Sequence, residues 1–263
     1  NIAEHRLPQD GRIKFSVRGR DVDFRVSVIP SYYGEKACLR VLDKEQVKLD
    51  LDLLGFDAGP LEVLKEATQH PHGMILITGP TGSGKTTTMY AVLKRVDRLD
   101  RNLVTVEDPV EYDLPGVNQV SVHPDMGLTF AAGLRSILRQ DPNVILIGEI
   151  RDEETADIAV KASLTGHLVL STLHANDALG AIARLTHMGV EPYLITSSVL
   201  LVGAQRLARR VCPNCAQPVH PSKELIKRLE LPPEGAYLKG KGCSTCRRTG
   251  LVGRVGLLEA VPL

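Results

Sequence analysis

Gly79-Pro80-Thr81-Gly82-Ser83-Gly84-Lys85-Thr86 fits the phosphate-loop pattern Gly-x-x-x-x-Gly-Lys-Ser/Thr at every fixed position. The apolar run Met74-Ile75-Leu76-Ile77 precedes it, and a helix-like stretch from Thr86 to Arg98 follows. A glycine-rich turn with no ligand would not need this strand–loop–helix setting. Three glycines let the backbone wrap closely round a polyphosphate, and the loop amides and helix N-terminus offer donors and a positive dipole end. Lys85 is placed to reach the β- and γ-phosphates of a nucleoside triphosphate, and Thr86 to hold Mg²⁺.

Outward from the loop, the chain alternates strand and helix. Apolar strands are expected at 74–78, 103–106, 144–147 and 168–172, with helical stretches between them. Thr129 caps a helix over 129–140; Asp152 opens and Gly166 closes another over 152–164. Such alternation implies a parallel sheet covered by helices on both faces. Residues 176–210 read as helical, broken near Gly189 and Pro192. Before the loop, apolar alternation at Ile13, Phe15 and Val17, then at Val22, Phe24, Val26 and Val28, and a run over 37–42 predict three short strands. They are broken at Gly19 and at Pro30 with Gly34, and Cys38 reads as a buried strand residue. A linker follows over 43–60, then a helix from about Pro60 to Thr68.

The sequence has 263 residues, 43% hydrophobic and 24% charged, enough to bury a sizeable core. No apolar run reaches a membrane span and no signal peptide is legible, so any membrane association is expected through a partner or a missing segment. The start at Asn1 and the end at Glu259-Ala260-Val261-Pro262-Leu263 read as those of an excised piece of a longer chain. The net charge of +1 hides an uneven distribution: Gly203 to Arg254 holds 11 Lys and Arg against 3 Glu. A basic tail can meet an acidic partner, nucleic acid or an anionic membrane; a solvated face is the favoured reading.

Three strand ends carry further chemistry. Val144-Ile145-Leu146-Ile147-Gly148-Glu149 delivers a carboxylate to the C-terminal edge of a parallel sheet, where ligands bind. Glu149 is placed to orient or deprotonate a water in line with the γ-phosphate; an acid at a helix N-terminus is the alternative. Gly148 stands where many phosphate-loop enzymes carry an Asp for Mg²⁺. Leu103 to Val106 leads into Glu107-Asp108-Pro109-Val110-Glu111, acids suited to water-mediated Mg²⁺ binding and to positioning the attacking water. The third strand ends in Ser171-Thr172-Leu173-His174-Ala175-Asn176, where His174 or Thr172 is placed to sense the γ-phosphate or to serve the fold alone; His167 sits at the opposite edge.

Cys212-Pro213-Asn214-Cys215 and Cys243-Ser244-Thr245-Cys246 are two knuckles separated by 27 residues. Four thiolates in this arrangement suit tetrahedral Zn²⁺ in a closed structural site, its gap closed by a helical hairpin. Disulfides, free thiols or a redox pair are the alternatives.

In order, these motifs resemble the secretion ATPases that drive type II secretion and type IV pilus assembly. The match runs through Gly79–Thr86, Thr105-Val-Glu-Asp-Pro-Val-Glu-Tyr112, Leu138-Arg-Gln-Asp-Pro142, Ile147-Gly-Glu-Ile-Arg-Asp152 and Ser171-Thr-Leu-His-Ala-Asn176. The resemblance covers about Arg6 to Leu258. It implies an α/β fold: a RecA-like P-loop domain with a small N-terminal α+β (PAS-like) domain and a tetracysteine zinc-binding insert. The implied division is a truncated PAS-like domain at 1–45, linker and helix at 46–70, and the ATPase core at 71–211. The zinc subdomain follows at 212–246, and a truncated C-terminal segment at 247–263.

The resemblance further implies a cytoplasmic homo-hexameric ring, with ATP and Mg²⁺ at subunit interfaces. Gly79, Pro80, Thr81, Gly82, Ser83, Gly84, Lys85, Thr86 and Thr87 would contact the nucleotide. Glu149 and Glu107 would act with Lys85, and Arg25 and Arg40 would stabilise charge on the γ-phosphate. Arg135 and Arg139, one helical turn apart, Arg254 and His174 would serve the interface or site. The four cysteines resemble assembly and secretion members rather than retraction motors, and the fine motifs lean slightly to type II secretion. Inner-membrane platform and recruitment proteins are the implied partners, holding the motor peripherally at that membrane. A nucleic-acid-binding or DNA-translocating protein is the rival reading. The basic segment 212–246 has only one aromatic, Tyr237, to stack a base, so nucleic acid is not expected.

Overall fold

The computed structural model describes residues 2–17, 20–43, 49–97, 100–232 and 234–263. The expected turn at Gly19, part of the expected linker (44–48) and Arg98 lie outside the described residues. The chain separates into two units, Asn1–Leu49 and Asp50–Leu263.

The first unit is a three-stranded antiparallel sheet: β1 (Gln9–Val17), β2 (Arg20–Ser31) and β3 (Gly34–Asp43), in that order. Alternation along each strand sorts the side chains onto two faces. The register sets Arg12 opposite Arg25, and Arg25 opposite Arg40, so three arginines form one rung. Ser27 pairs with Cys38 on this polar face, and Cys38 is exposed rather than buried. The apolar alternation around Cys38 belongs to its neighbours Leu39 and Val41, on the opposite face.

The second unit is built on a seven-stranded sheet. Helix α1 (Ala58–Ala67) begins two residues before Pro60, and α1 leads into β4 (Gly73–Thr78). Then come α2 (Lys85–Val96), β5 (Leu103–Glu107), β6 (Asn118–Ser121), α3 (Phe130–Ile137), β7 (Val144–Ile147), α4 (Glu153–Leu164) and β8 (Leu168–Leu173). The chain continues through α5 (Ala178–His187), α6 (Pro192–Ser198) and β9 (Val199–Val211). A small ribbon of β10 (Ala216–Val219) and β11 (Tyr237–Gly240) flanks α7 (Lys223–Arg228), and β12 (Leu251–Pro262) ends the fold. The sheet order is β12-β9-β4-β8-β7-β5-β6. Every neighbouring pair is parallel except β12 with β9.

The four expected strands are all present, and β4, β5, β7 and β8 are buried along their whole length. Burial on both faces explains their mostly apolar make-up. Thr129 and Asp152 cap α3 and α4 by accepting from Ala132 N and Thr155 N.

The largest departure is Val199–Val211, read as helix and found as strand. Its Leu, Ala, Gln and Arg favour helix, but helix propensity is worth only tenths of a kcal/mol per residue. Pairing with β4 on one side and β12 on the other outweighs it. Gly203 fits this crowded position: a Cβ there would lie 2.6 Å from Ile77 Cδ1 and 3.1 Å from Leu258 Cδ1. The cysteine knuckles are joined by the β10–β11 ribbon with α7, not by a helical hairpin.

Candidate functional site

The strand order makes the site. Inserting β8 between β4 and β7 sets three C-terminal strand ends side by side: the phosphate loop, the His174 loop and Glu149. At the base, Thr78 Oγ1 donates toward the carbonyls of Leu173 (3.0 Å) and Ala175 (3.1 Å), and accepts from Ala175 N at 2.7 Å. This ties the root of the phosphate loop to the root of the His174 loop.

Gly79, Gly82 and Gly84 all have positive φ, at 139°, 78° and 90°. A Cβ on Gly79 would stand 2.3 Å from the Gln205 carbonyl oxygen, so this position excludes a side chain by space as well as by φ. Lys85 Nζ donates back to the carbonyls of Gly79 (2.9 Å) and Pro80 (3.1 Å). Burial pulls the Lys85 ammonium below its ordinary pKa, while the charge of Glu149 opposes that shift. Ser83 Oγ is buried and, among the described residues, without a hydrogen-bond partner. Thr86 is exposed and Thr87 half-buried at the start of α2. An orphan hydroxyl, glycine-lined backbone and a half-buried lysine fit a polyphosphate.

Glu149 is 16% exposed, with Oε2 3.5 Å from His174 Nε2. Its Oε1 accepts from Arg151 Nη2 at 2.5 Å, and Arg151 Nη1 lies 3.8 Å from Asp108 Oδ2. Thr172 Oγ1 donates to Gly148 O at 2.7 Å, fixing the turn that presents Glu149. The glycine at 148 has a steric reason. A Cβ would meet Glu107 Cα and Val106 O, both at 3.3 Å, so the close β5–β7 approach leaves little room for a metal-binding Asp.

Glu107 is placed differently from Glu149. It is 3% exposed, and three side chains donate to it: Tyr90 Oη to Oε2, Thr105 Oγ1 to Oε1 at 2.6 Å and Gln119 Nε2 to Oε1 at 3.2 Å. Burial, reinforced by the Glu107 charge, pushes the Tyr90 phenol far above its ordinary pKa. Tyr90 Oη also accepts from Glu111 N at 3.3 Å. In this geometry Glu107 anchors α2, β5 and the acidic loop rather than presenting an open carboxylate to water.

The arginines are dispersed. Both Nη atoms of Arg135 donate to Glu154 Oε1 at 2.6 Å, bridging α3 to α4. α3 ends at Ile137, short of the helix expected to Gln140, so Arg139 lies in the turn beyond it and folds back, donating to Arg135 O at 2.9 Å and to Ser136 Oγ at 3.3 Å. Arg254 is exposed on β12, in register with Arg209 of β9. Arg25 and Arg40 lie in the first unit, on the rung shared with Arg12.

The sulfurs of Cys212, Cys215, Cys243 and Cys246 all lie within 4.8 Å of one another. Cys212–Cys243 and Cys215–Cys246 are 3.8 Å apart, and Cys243–Cys246 3.7 Å. Metal–sulfur bonds of about 2.3 Å in a tetrahedron place sulfurs about 3.8 Å apart. The Gly242 N–H donates to Cys215 Sγ at 3.3 Å, and the N–H groups of Cys243 and Gly250 donate to Cys246 Sγ at 3.1 and 3.3 Å. These bonds favour thiolates: the donation from Cys243 brings Cys246 down to about 6, whereas burial pushes Cys215 up to about 11. The donor set fits a metal ion.

Sequence reading missed Tyr90, Arg151 and Gln205. Arg151 stood inside a quoted motif without a role. Tyr90 and Gln205 gave no local signal, because their partners are 17 and 117 residues away. Tyr90→Phe removes one of three side-chain donors from a buried carboxylate. It should destabilise the protein by about 1–3 kcal/mol, read from denaturant midpoints; an unchanged midpoint would remove Glu107 from its anchoring role.

The sequence matches, over residues 1–263, the family described as "Type II/IV secretion system protein". It is 54% identical to the type IV pilus assembly ATPase PilB of Myxococcus xanthus, across 100% of this chain and 47% of that protein. It is also 54% identical to type II secretion system protein E of Aeromonas hydrophila, across 99% of this chain and 52% of that one. The chain therefore spans about half the length of the curated relatives it matches. Among solved structures, the pilus retraction motor PilT with bound ADP is similar at a TM-score of 0.68 and 34% identity, covering 79% of this chain and 61% of that one. With all 263 residues inside one family match, and relatives named for both machines at the same identity, the chain belongs to the type II/IV secretion system protein family.

Proposed function

We propose that this chain is the motor part of a cytoplasmic, hexameric ATPase that hydrolyses ATP to power type II secretion or type IV pilus assembly. The observation that carries the reading is the meeting of a phosphate loop, Glu149 and His174 at adjacent parallel strand ends, with Glu149 3.5 Å from His174. The relatives are named for both machines, and the proposal covers both.

The proposed reaction is in-line attack of water on the γ-phosphorus, with ADP leaving. Gly79–Thr87 grips the phosphates, and Lys85 exchanges its loop carbonyls for phosphate oxygens. Thr86 helps hold Mg²⁺. Glu149 orients the water and draws its proton, which requires Arg151 to release the carboxylate; Arg151 then stays near Asp108. His174 reports the state of the γ-phosphate to Glu149. Glu107 fixes the acidic loop from beneath. Arg25 and Arg40 complete the charge stabilisation from a neighbouring subunit, and Arg135, Arg139 and Arg254 serve subunit contacts.

In this reading residues 1–45 belong to a PAS-like domain, 46–70 to a linker and helix, and 71–211 to a RecA-like core. Residues 212–246 form a zinc subdomain and 247–263 a closing segment. Among the described residues no helix is long and apolar enough to cross a membrane. Inner-membrane platform and recruitment proteins are the proposed partners, and nucleic acid is not. Zn²⁺ would be held by Cys212, Cys215, Cys243 and Cys246, pinning the two knuckles together without joining the chemistry.

Two measurements check these assignments. Glu149→Gln should lower ATP turnover by roughly 10²–10⁴-fold with ADP affinity little changed; unchanged turnover would remove Glu149 from its role. Elemental analysis of the purified chain should find about one zinc per chain, and Cys215→Ser should lose most of it. Full zinc retention in that variant would rule out the tetracysteine site.

A further inference from the structure

Gln205 sits one residue beyond the last β4–β9 pair, Thr78 with Ala204. Its side chain is 2% exposed and enters the underside of the phosphate loop. Nε2 donates to the Ser83 carbonyl at 2.8 Å, and Oε1 accepts from Thr88 Oγ1 at 2.8 Å. The Ser83 carbonyl can only accept, so the amide orientation is fixed by chemistry. Both loop glycines nearest to it leave it space: added Cβ atoms would lie 2.3 Å from Gln205 O at Gly79 and 2.9 Å from Gln205 Nε2 at Gly84.

In a trans peptide the C=O and the following N–H point in opposite directions. Holding the Ser83 carbonyl toward Gln205 therefore turns the Gly84 N–H away from it, to the side where the loop closes on its ligand. Gly84 has φ 90°, a conformation that only glycine adopts without strain, and glycine also tolerates the flipped peptide. Gln205 is the donor that holds the Ser83 carbonyl in the observed orientation. Thr88, one turn into α2, holds the other end of the same amide, so Gln205 locks loop and helix together.

We infer that Gln205 is a positioning residue for nucleotide binding: it fixes the Ser83–Gly84 peptide so that the Gly84 N–H faces the phosphates. The inference rests on the assignment of Gly79–Thr86 as the phosphate cradle. Gln205→Glu keeps size and acceptor but turns the donor into a carboxylate facing a carbonyl, which drives the peptide to flip. Thr88→Val removes only the second bond.

The test is the affinity of the chain for MgADP, with thermal stability measured without nucleotide. Gln205→Glu should weaken binding by about tenfold or more, the loss expected for a missing donor to a charged ligand. Thr88→Val should stay within about threefold of the parent, because it leaves the bond to Ser83 in place. If Gln205→Glu does not fold, Gln205→Met, similar in length and lacking both bonds, carries the same expectation. Parent-like MgADP affinity in the folded Gln205 variant, or an equal loss in Thr88→Val, overturns the positioning role. Failure of the parent chain to bind MgADP would overturn the cradle assignment instead.

Discussion

A loop that grips phosphate with backbone N–H groups must turn its carbonyls elsewhere, and each needs a donor of its own. Much of the second unit meets this requirement. Lys85 donates to the carbonyls of Gly79 and Pro80, the Ser83 N–H reaches Pro80 O at 3.2 Å, and Gln205 holds Ser83 O. A buried carbonyl left unpaired would cost about 1–3 kcal/mol, so the Ser83 carbonyl needs the donor that Gln205 of β9 brings. On the other side of β4, the loop after β8 bonds the Thr78 hydroxyl at the root of the phosphate loop. The lysine's bonds are the replaceable ones, since phosphate oxygens can take the place of carbonyls.

The same edge handles two carboxylates in opposite ways. Glu107 is enclosed, with three side-chain donors, and its worth lies in holding α2, β5 and the acidic loop in one arrangement. Glu149 is half-buried and its partners are solvent-exposed, an arginine 59% exposed and a histidine 49% exposed. A group that must take a proton needs such exchangeable contacts. Burial and hydrogen bonding, rather than residue type, thus separate the anchor from the candidate base.

Motif spacing was enough to read the phosphate loop, Glu149, His174 and the paired knuckles, because each is a local pattern tied to a local geometry. The buried strands were legible because short, mostly apolar stretches bounded by polar residues leave few alternatives. Sheet order was not legible, since nothing in the run 144–147 says that β8 lies between β7 and β4. Val199–Val211 was misread because its composition favours helix while its strand state comes from pairing on both sides. That misreading hid Gln205, whose side chain reaches the loop only from a strand. Cys38 was misplaced because alternation alone does not say which face a small, weakly polar residue takes.

In the proposed motor the site would be shared: the second unit would grip the nucleotide, and Arg25 and Arg40 of another subunit would finish the charge stabilisation. The direct test is ATP turnover per chain as protein concentration rises, with Mg²⁺ and zinc present. A steep rise per chain is the predicted result, because the site is complete only on assembly. Measurable turnover that stays flat with concentration would mean that each chain holds a whole site, contradicting the role given to Arg25 and Arg40.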